Sequence, residues 1–169
     1  MRRFIGSMML VLICIPIFAQ AETSSRQHLF HIERSKNANI VQYDAQVEPD
    51  GTLKKRKPVV VYWIRLAEQG QEKKLSWIQR VFAYGFKAKP DSEAGTVELD
   101  MVVDFDRPIT VVRDGDRYRA TMQIDRSLSY LDRFYVNATR KGWSVKVHYV
   151  EAFGEEMETG EPSYEKFFP

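Results

Sequence analysis

Apolar and polar residues alternate with a period of two along much of this chain, the pattern of strands with one dry and one wet face. Val41, Tyr43, Ala45 and Val47 fall on one side, with Gln42, Asp44 and Gln46 on the other. Val97, Leu99, Met101, Val103 and Phe105 oppose Glu98, Asp100 and Asp104. Tyr118, Ala120, Met122 and Ile124 oppose Arg119, Thr121 and Gln123, and Trp143, Val145, Val147 and Tyr149 oppose Ser144, Lys146 and His148. One-sided strands suit antiparallel sheet. Three further strands are expected at Leu29–Glu33, Ile109–Val112 and Leu131–Ala138. Val59–Leu66 is apolar on both faces and reads as a central or doubly covered strand.

Turn chemistry falls between these segments. Asp50-Gly51, Asp114-Gly115 and Lys141-Gly142 can supply the positive φ of tight turns, and Val111–Tyr118 is the clearest hairpin. A single helix is expected after Ser76, a natural cap. Its Trp77, Ile78, Val81 and Phe82 recur at helical spacing, so it should cover one end of the sheet before Gly85 stops it. The fold class is therefore all-β: an antiparallel barrel or sandwich of about 8–9 short strands with one short helix.

The first residues change the boundaries. Arg2-Arg3, an apolar run from Phe4 to Phe18, and Ala19-Gln20-Ala21 follow the charged, apolar, small order of a cleavable signal peptide. The run is shorter than the ~20 residues of a spanning helix. Ile13 before Cys14 is not the small residue that lipidation needs. Residues 1–21 are thus expected to be a leader, 22–152 a single β domain, and 153–169 an acidic, loosely ordered tail carrying Glu155, Glu156, Glu158, Glu161 and Glu165. The product would be periplasmic or extracellular, not membrane-spanning after cleavage, and free of cysteine.

Charge excludes one class of function. Lys and Arg number 25 against 23 Asp and Glu. Loss of Arg2 and Arg3 leaves the mature chain formally neutral, without the basic footprint of a nucleic-acid binder. The basic run Lys54-Lys55-Arg56-Lys57 can draw anionic lipid or polyanionic envelope material; it also fits a solvated turn, or one paired with the acidic tail.

Three blocks carry a resemblance: His28 to Asp44 (HLFHIERSKNANIVQYD), Pro58 to Arg65 (PVVVYWIR) and Phe82 to Gly85 (FAYG). In these the chain resembles a bacterial family of uncharacterised exported proteins that share a domain of unknown function. The resemblance spans the whole mature chain. It implies a single secreted domain and carries over no functional residue.

Candidate chemistry is sparse. His28, His31 and Glu33 invite a metal reading, but strand residues three apart point to opposite faces, so no metal or other cofactor is expected. Arg34, Lys36 and Asn37 close the first strand and can orient an anionic or polar ligand; a solvated turn is the simpler explanation. Tyr62, Trp63 and Arg65 share an otherwise aliphatic strand, with Arg65 either a ligand anchor or half of a structural ion pair. Tyr84 is the last candidate, beside the Gly85 stop. Asp100, Asp104 and Asp106 are paired carboxylates, more simply one wet strand face. No Gly-x-Ser-x-Gly elbow or phosphate loop is present.

Without a catalytic signature, the expected function is a non-catalytic binding module holding a small apolar or amphipathic ligand inside a β-barrel, fixed by Arg34, Lys36, Asn37, Tyr62, Trp63, Arg65 and Tyr84. The alternative is an envelope protein–protein interaction domain with a filled core, and a motif-less hydrolase ranks last.

Overall fold

The computed structural model describes residues 24–102, 107–141 and 144–168. The expected leader, Val103–Asp106, and Gly142 and Trp143, where the expected Lys141-Gly142 turn meets the next expected strand, lie outside the described residues. The described chain forms eleven strands: β1 (Ser25–Arg34), β2 (Asn37–Val47), β3 (Val59–Arg65), β4 (Gln71–Lys74), β5 (Phe86–Asp91), β6 (Thr96–Met101), β7 (Ile109–Asp114), β8 (Arg117–Ile124), β9 (Ser127–Lys141), β10 (Ser144–Glu156) and β11 (Pro162–Phe167). Between β4 and β5 runs α1 (Trp77–Gln79), one turn that continues into a π-type turn over Arg80–Tyr84.

All the strands join one curled sheet, a half-barrel that forks at β9. One edge of β9 is taken by β10, from Ser129↔Glu156 to Lys141↔Ser144. The other edge takes two strands in succession: β8 against Ser127–Tyr130, then β1, in parallel, against Arg133–Val136. Two four-stranded limbs leave the fork, β1-β2-β3-β4 and β8-β7-β6-β5. Every other pairing is antiparallel, so the sheet is mixed only at β1/β9.

The alternation places the core as expected. Val41, Tyr43, Ala45, Val97, Leu99, Ile109, Val111, Ala120, Met122 and Ile124 fill the space between the limbs. Phe30 stacks on Tyr43 with centroids 4.4 Å apart and meets Phe134 edge-on at 6.0 Å, joining both limbs at the fork. Asp114 and Arg117 close the expected hairpin, with Gly115 at φ 62.

Register shifts fall at four places in the β1 and β10 ladders, and two of them change which residues are dry. A register shift between His28 and Phe30 buries both Leu29 and Phe30 and turns His28 and His31 to one side, their rings 5.7 Å apart, where strict alternation opposed them. A second, between Val147 and Tyr149, moves the dry face of β10 onto Val150 and Ala152 and leaves Val145 exposed.

β3 lies between β2 and β4, a central strand as expected, but four-residue β4 pairs only with Tyr62–Arg65, so among the described residues no strand lies beside the other edge of Val59–Val61. Two other expectations are corrected. The segment after 153 is not a loose tail. β10 and β11 form a hairpin, held to the body by Glu165, which takes a two-pronged hydrogen bond from Arg107 (Nη2 to Oε1 2.7 Å) and another from the Asp125 amide (2.6 Å). Nor does the helix turn its apolar face inward: Trp77, Ile78 and Phe82 are 71, 60 and 68% exposed.

Candidate functional site

The two limbs do not zip together. The part of β3 that β4 leaves uncovered, on one side, and outer β5, on the other, leave a seam, and in it lies a groove of about 1140 Å³. Its apolar lining comes from Val59, Val61, Phe86, Ala88 and Pro90. Around these stand Lys55, Arg56 and Lys57 from the loop before β3, Lys73 and Lys74 from β4, and Arg80 from the π-type turn. None of these six forms an ion pair with another described residue. The one carboxylate in the lining, Glu72, is bound to Arg26 at 3.1 Å. The groove is therefore an apolar trough rimmed by basic side chains. Pro90 has no backbone N–H and Lys87 and Lys89 charge the β5 edge, features that discourage a further strand from adding there.

Tyr62 is the expected site residue that borders this groove. Its hydroxyl donates to buried Asp44, which also accepts from Gln42 Nε2 at 2.9 Å and faces His28 Nδ1 at 3.4 Å. Burial raises the Asp44 pKa, but the hydrogen bonds from His28, Tyr62 and Gln42 outweigh it, and the net shift is downward. Burial and the adjoining carboxylate push Tyr62 well above the usual phenol range. A depressed carboxylate stabilises the fold above its unfolded pKa, and that contribution fades as pH falls through the folded value. Wild-type stability should therefore drop on acidification below about pH 4, the ordinary range of an Asp. Asp44→Asn should lose about 1–3 kcal/mol at neutral pH and respond less to acid. Equal acid slopes in urea titrations of the two proteins would show that Asp44 has no such role.

Four other expected residues converge elsewhere. The Arg34 guanidinium lies 4.3 Å over the Trp63 ring and 5.9 Å from the Tyr84 ring centroid. It donates to Tyr84 Oη and Asn37 Oδ1, each at 3.1 Å, while its Nε is buried without a hydrogen-bond partner. Trp63 Nε1 donates to Gln79 Oε1 (3.2 Å), and Tyr43 Oη donates to the Tyr84 carbonyl (2.9 Å). Ser76 and Gln79 close a capping box at the start of α1. This cluster clamps the 76–84 segment against β1, β2 and β3. The remaining two stand apart: Lys36 is at the exposed tip of the β1–β2 turn, and Arg65 pairs with Glu68.

The basic run was visible in the sequence, but nothing local joined it to Lys73, Lys74 and Arg80, because the seam that unites them is tertiary. It does not pair with the acidic C-terminal hairpin, whose Glu155 and Glu165 face Arg119 and Arg107. Among the described residues no three His, Cys, Asp or Glu side chains converge as a metal site. Thr139 Oγ1 lies 3.0 Å from His148 Nε2, but the pair is exposed and no described carboxylate orients the ring.

Compared with known proteins, residues 30–166 match a family model described as a domain of unknown function (DUF4833). No curated protein and no solved structure matches the chain.

Proposed function

This chain belongs to the DUF4833 family of domains of unknown function, and we propose from its geometry that it is a non-catalytic binding module that holds an anionic amphipathic guest in the seam groove. The observation that carries the reading is the pairing of an apolar trough with six cations that form no ion pair among the described residues. An apolar tail gains by leaving water along Val59, Val61 and Phe86, and an anionic head gains from Arg56, Lys57 and Lys74.

The guest lies in the seam and not inside the barrel. Phe30, Tyr43, Leu99, Ile109, Met122 and Phe134 are all under 2% exposed and fill the space between the limbs. The same proposal takes the chain to be exported, on the charged, apolar, small order of residues 1–21. A filled interior also fits the envelope-interaction reading, but that reading leaves the basic rim of the groove without a task.

Dodecyl phosphate below its micellar concentration tests the proposal. It should bind with a heat or fluorescence change that saturates. Dodecyl maltoside, which lacks charge, and inorganic phosphate, which lacks the tail, should each bind more weakly by tenfold or more, the factor given by about 1.4 kcal/mol. Arg56→Glu with Lys57→Glu should weaken dodecyl phosphate by a similar factor, and added salt should do so as well. Equal binding of the charged and uncharged amphiphiles would sink the anionic reading.

A further inference from the structure

The segment that walls the groove carries a second surface. Trp77, Ile78, Val81 and Phe82, within six consecutive positions, are 71, 60, 39 and 68% exposed. Trp77 and Phe82 meet edge-on at 6.3 Å, so their rings form one patch. The segment is held to the body by polar and aromatic anchors elsewhere on it: Gln79 to Trp63, Tyr84 to Tyr43 and Arg34, and buried Leu75 at its start. Its large aliphatic and aromatic tips therefore face water while its amide and hydroxyl groups face the protein. That is the reverse of an ordinary surface helix.

The sequence around this patch is basic. From Leu75 to Pro90 the chain has no Asp or Glu, and Lys73, Lys74, Arg80 and Lys87 carry no ion pair among the described residues. We infer that the Trp77–Phe82 patch, with these flanking cations, docks the protein on an anionic lipid surface. The aromatic tips would enter the interface between headgroups and acyl chains, where Trp is favoured, and the basic side chains would meet the headgroups. Each basic residue near such a surface strengthens attraction roughly fivefold.

Area and charge separate this occupant from a protein partner. At 150–250 Å² for each large side chain, the exposed part of the four residues comes to roughly 400–500 Å². A stable protein interface needs about 800 Å² from each partner. A bilayer makes no such demand, because shallow insertion of a few aromatics with electrostatic support suffices. The inference adds to the guest reading, since Arg80 and Gly85 belong both to this segment and to the groove.

The test uses the chain from Glu22 onward, without the apolar leader; all eleven described strands lie within Ser25–Phe167. Flotation with vesicles of phosphatidylcholine containing phosphatidylglycerol should carry the protein, and vesicles of phosphatidylcholine alone should not. Trp77→Ser with Phe82→Ser, both at exposed positions, should lower the partition by about tenfold or more while leaving the circular dichroism and dodecyl phosphate binding unchanged. Lys87→Glu, outside the groove, should lower it several-fold. Failure of the wild type to float, or equal flotation of the double variant, would overturn the inference. So would loss of flotation only on Arg56→Glu with Lys57→Glu, which would assign lipid contact to the groove. A protein cross-linked through the patch without vesicle binding would make it a protein-docking surface instead. Because dodecyl phosphate binding is read separately, failure here leaves the groove reading standing, and the converse also holds.

Discussion

Gly85→Ala is expected to lower the stability of the fold by about 3 kcal/mol, an unusually large cost for one methyl group. The cause is not conformational freedom, since Gly85 sits at φ −77, ψ 167, where alanine is at ease. An added Cβ would stand 1.8 Å from the Arg80 carbonyl oxygen and 3.3 Å from Val102 Cγ2. The nearest obstacle is backbone and cannot rotate away, so the end of the π-type turn must move. That movement strains the hydrogen bonds from the Val102 amide to the Gly85 carbonyl and from Tyr43 Oη to the Tyr84 carbonyl, each 2.9 Å. It also parts Tyr84 from Trp63, whose rings are 5.3 Å apart. Because Gly85 and Arg80 both line the groove, guest binding should weaken together with stability. Urea unfolding reads the first effect and amphiphile titration the second. A loss below about 0.5 kcal/mol, the scale of an ordinary surface substitution, would mean that the segment is not locked there.

Phe30→Ala should cost about 3–5 kcal/mol, a large share of the 5–15 kcal/mol that keeps a domain folded. Phe30 is fully buried at the place where β1 docks beside β9. Its ring stacks on Tyr43 from β2 and meets Phe134 from β9, so truncation opens a void at the fork itself. The residue that would fill the void, Tyr43, is tied by its hydroxyl to Tyr84. The site therefore collapses poorly, and the cost belongs at the upper end of the range. Phe30→Leu, which keeps most of the volume, should cost less than half as much. A cost under about 1.5 kcal/mol for Phe30→Ala would place the mechanical centre of the half-barrel elsewhere.

The strands were legible because period-two alternation is a local signal. Val41 to Val47 and Tyr118 to Ile124 put their apolar residues inside as the pattern says. The signal failed where a bulge adds a residue, since one insertion inverts every later face. Leu29-Phe30 and Val147–Val150 are those cases. The apolar spacing of Trp77 to Phe82 correctly gave a helical segment but not its direction. A stripe says that residues share a face, and hydrogen bonds from Gln79 and Tyr84 decide which face turns inward. The convergence of Arg34, Asn37, Trp63 and Tyr84 depends on β1–β3 pairing and on the return of the chain after β4. Residue types suggested it, but no spacing could. The groove was the least legible feature. Its cations come from three separate segments, and only the incomplete cover of β3 by β4 brings them to one opening.

Amide shifts of the isotope-labelled chain, followed by NMR as dodecyl phosphate is added, test the groove most directly. The account predicts that the largest changes fall on Lys55–Tyr62, Lys73–Lys74 and Phe86–Ala88, the two sides of the seam, with little change at Phe30, Leu99 or Ile109 in the filled interior. Changes centred on those interior residues would return the guest to the barrel lumen, and saturating changes confined to Arg34, Asn37 and Trp63 would move the site to the clamp; either pattern contradicts the seam as the binding site.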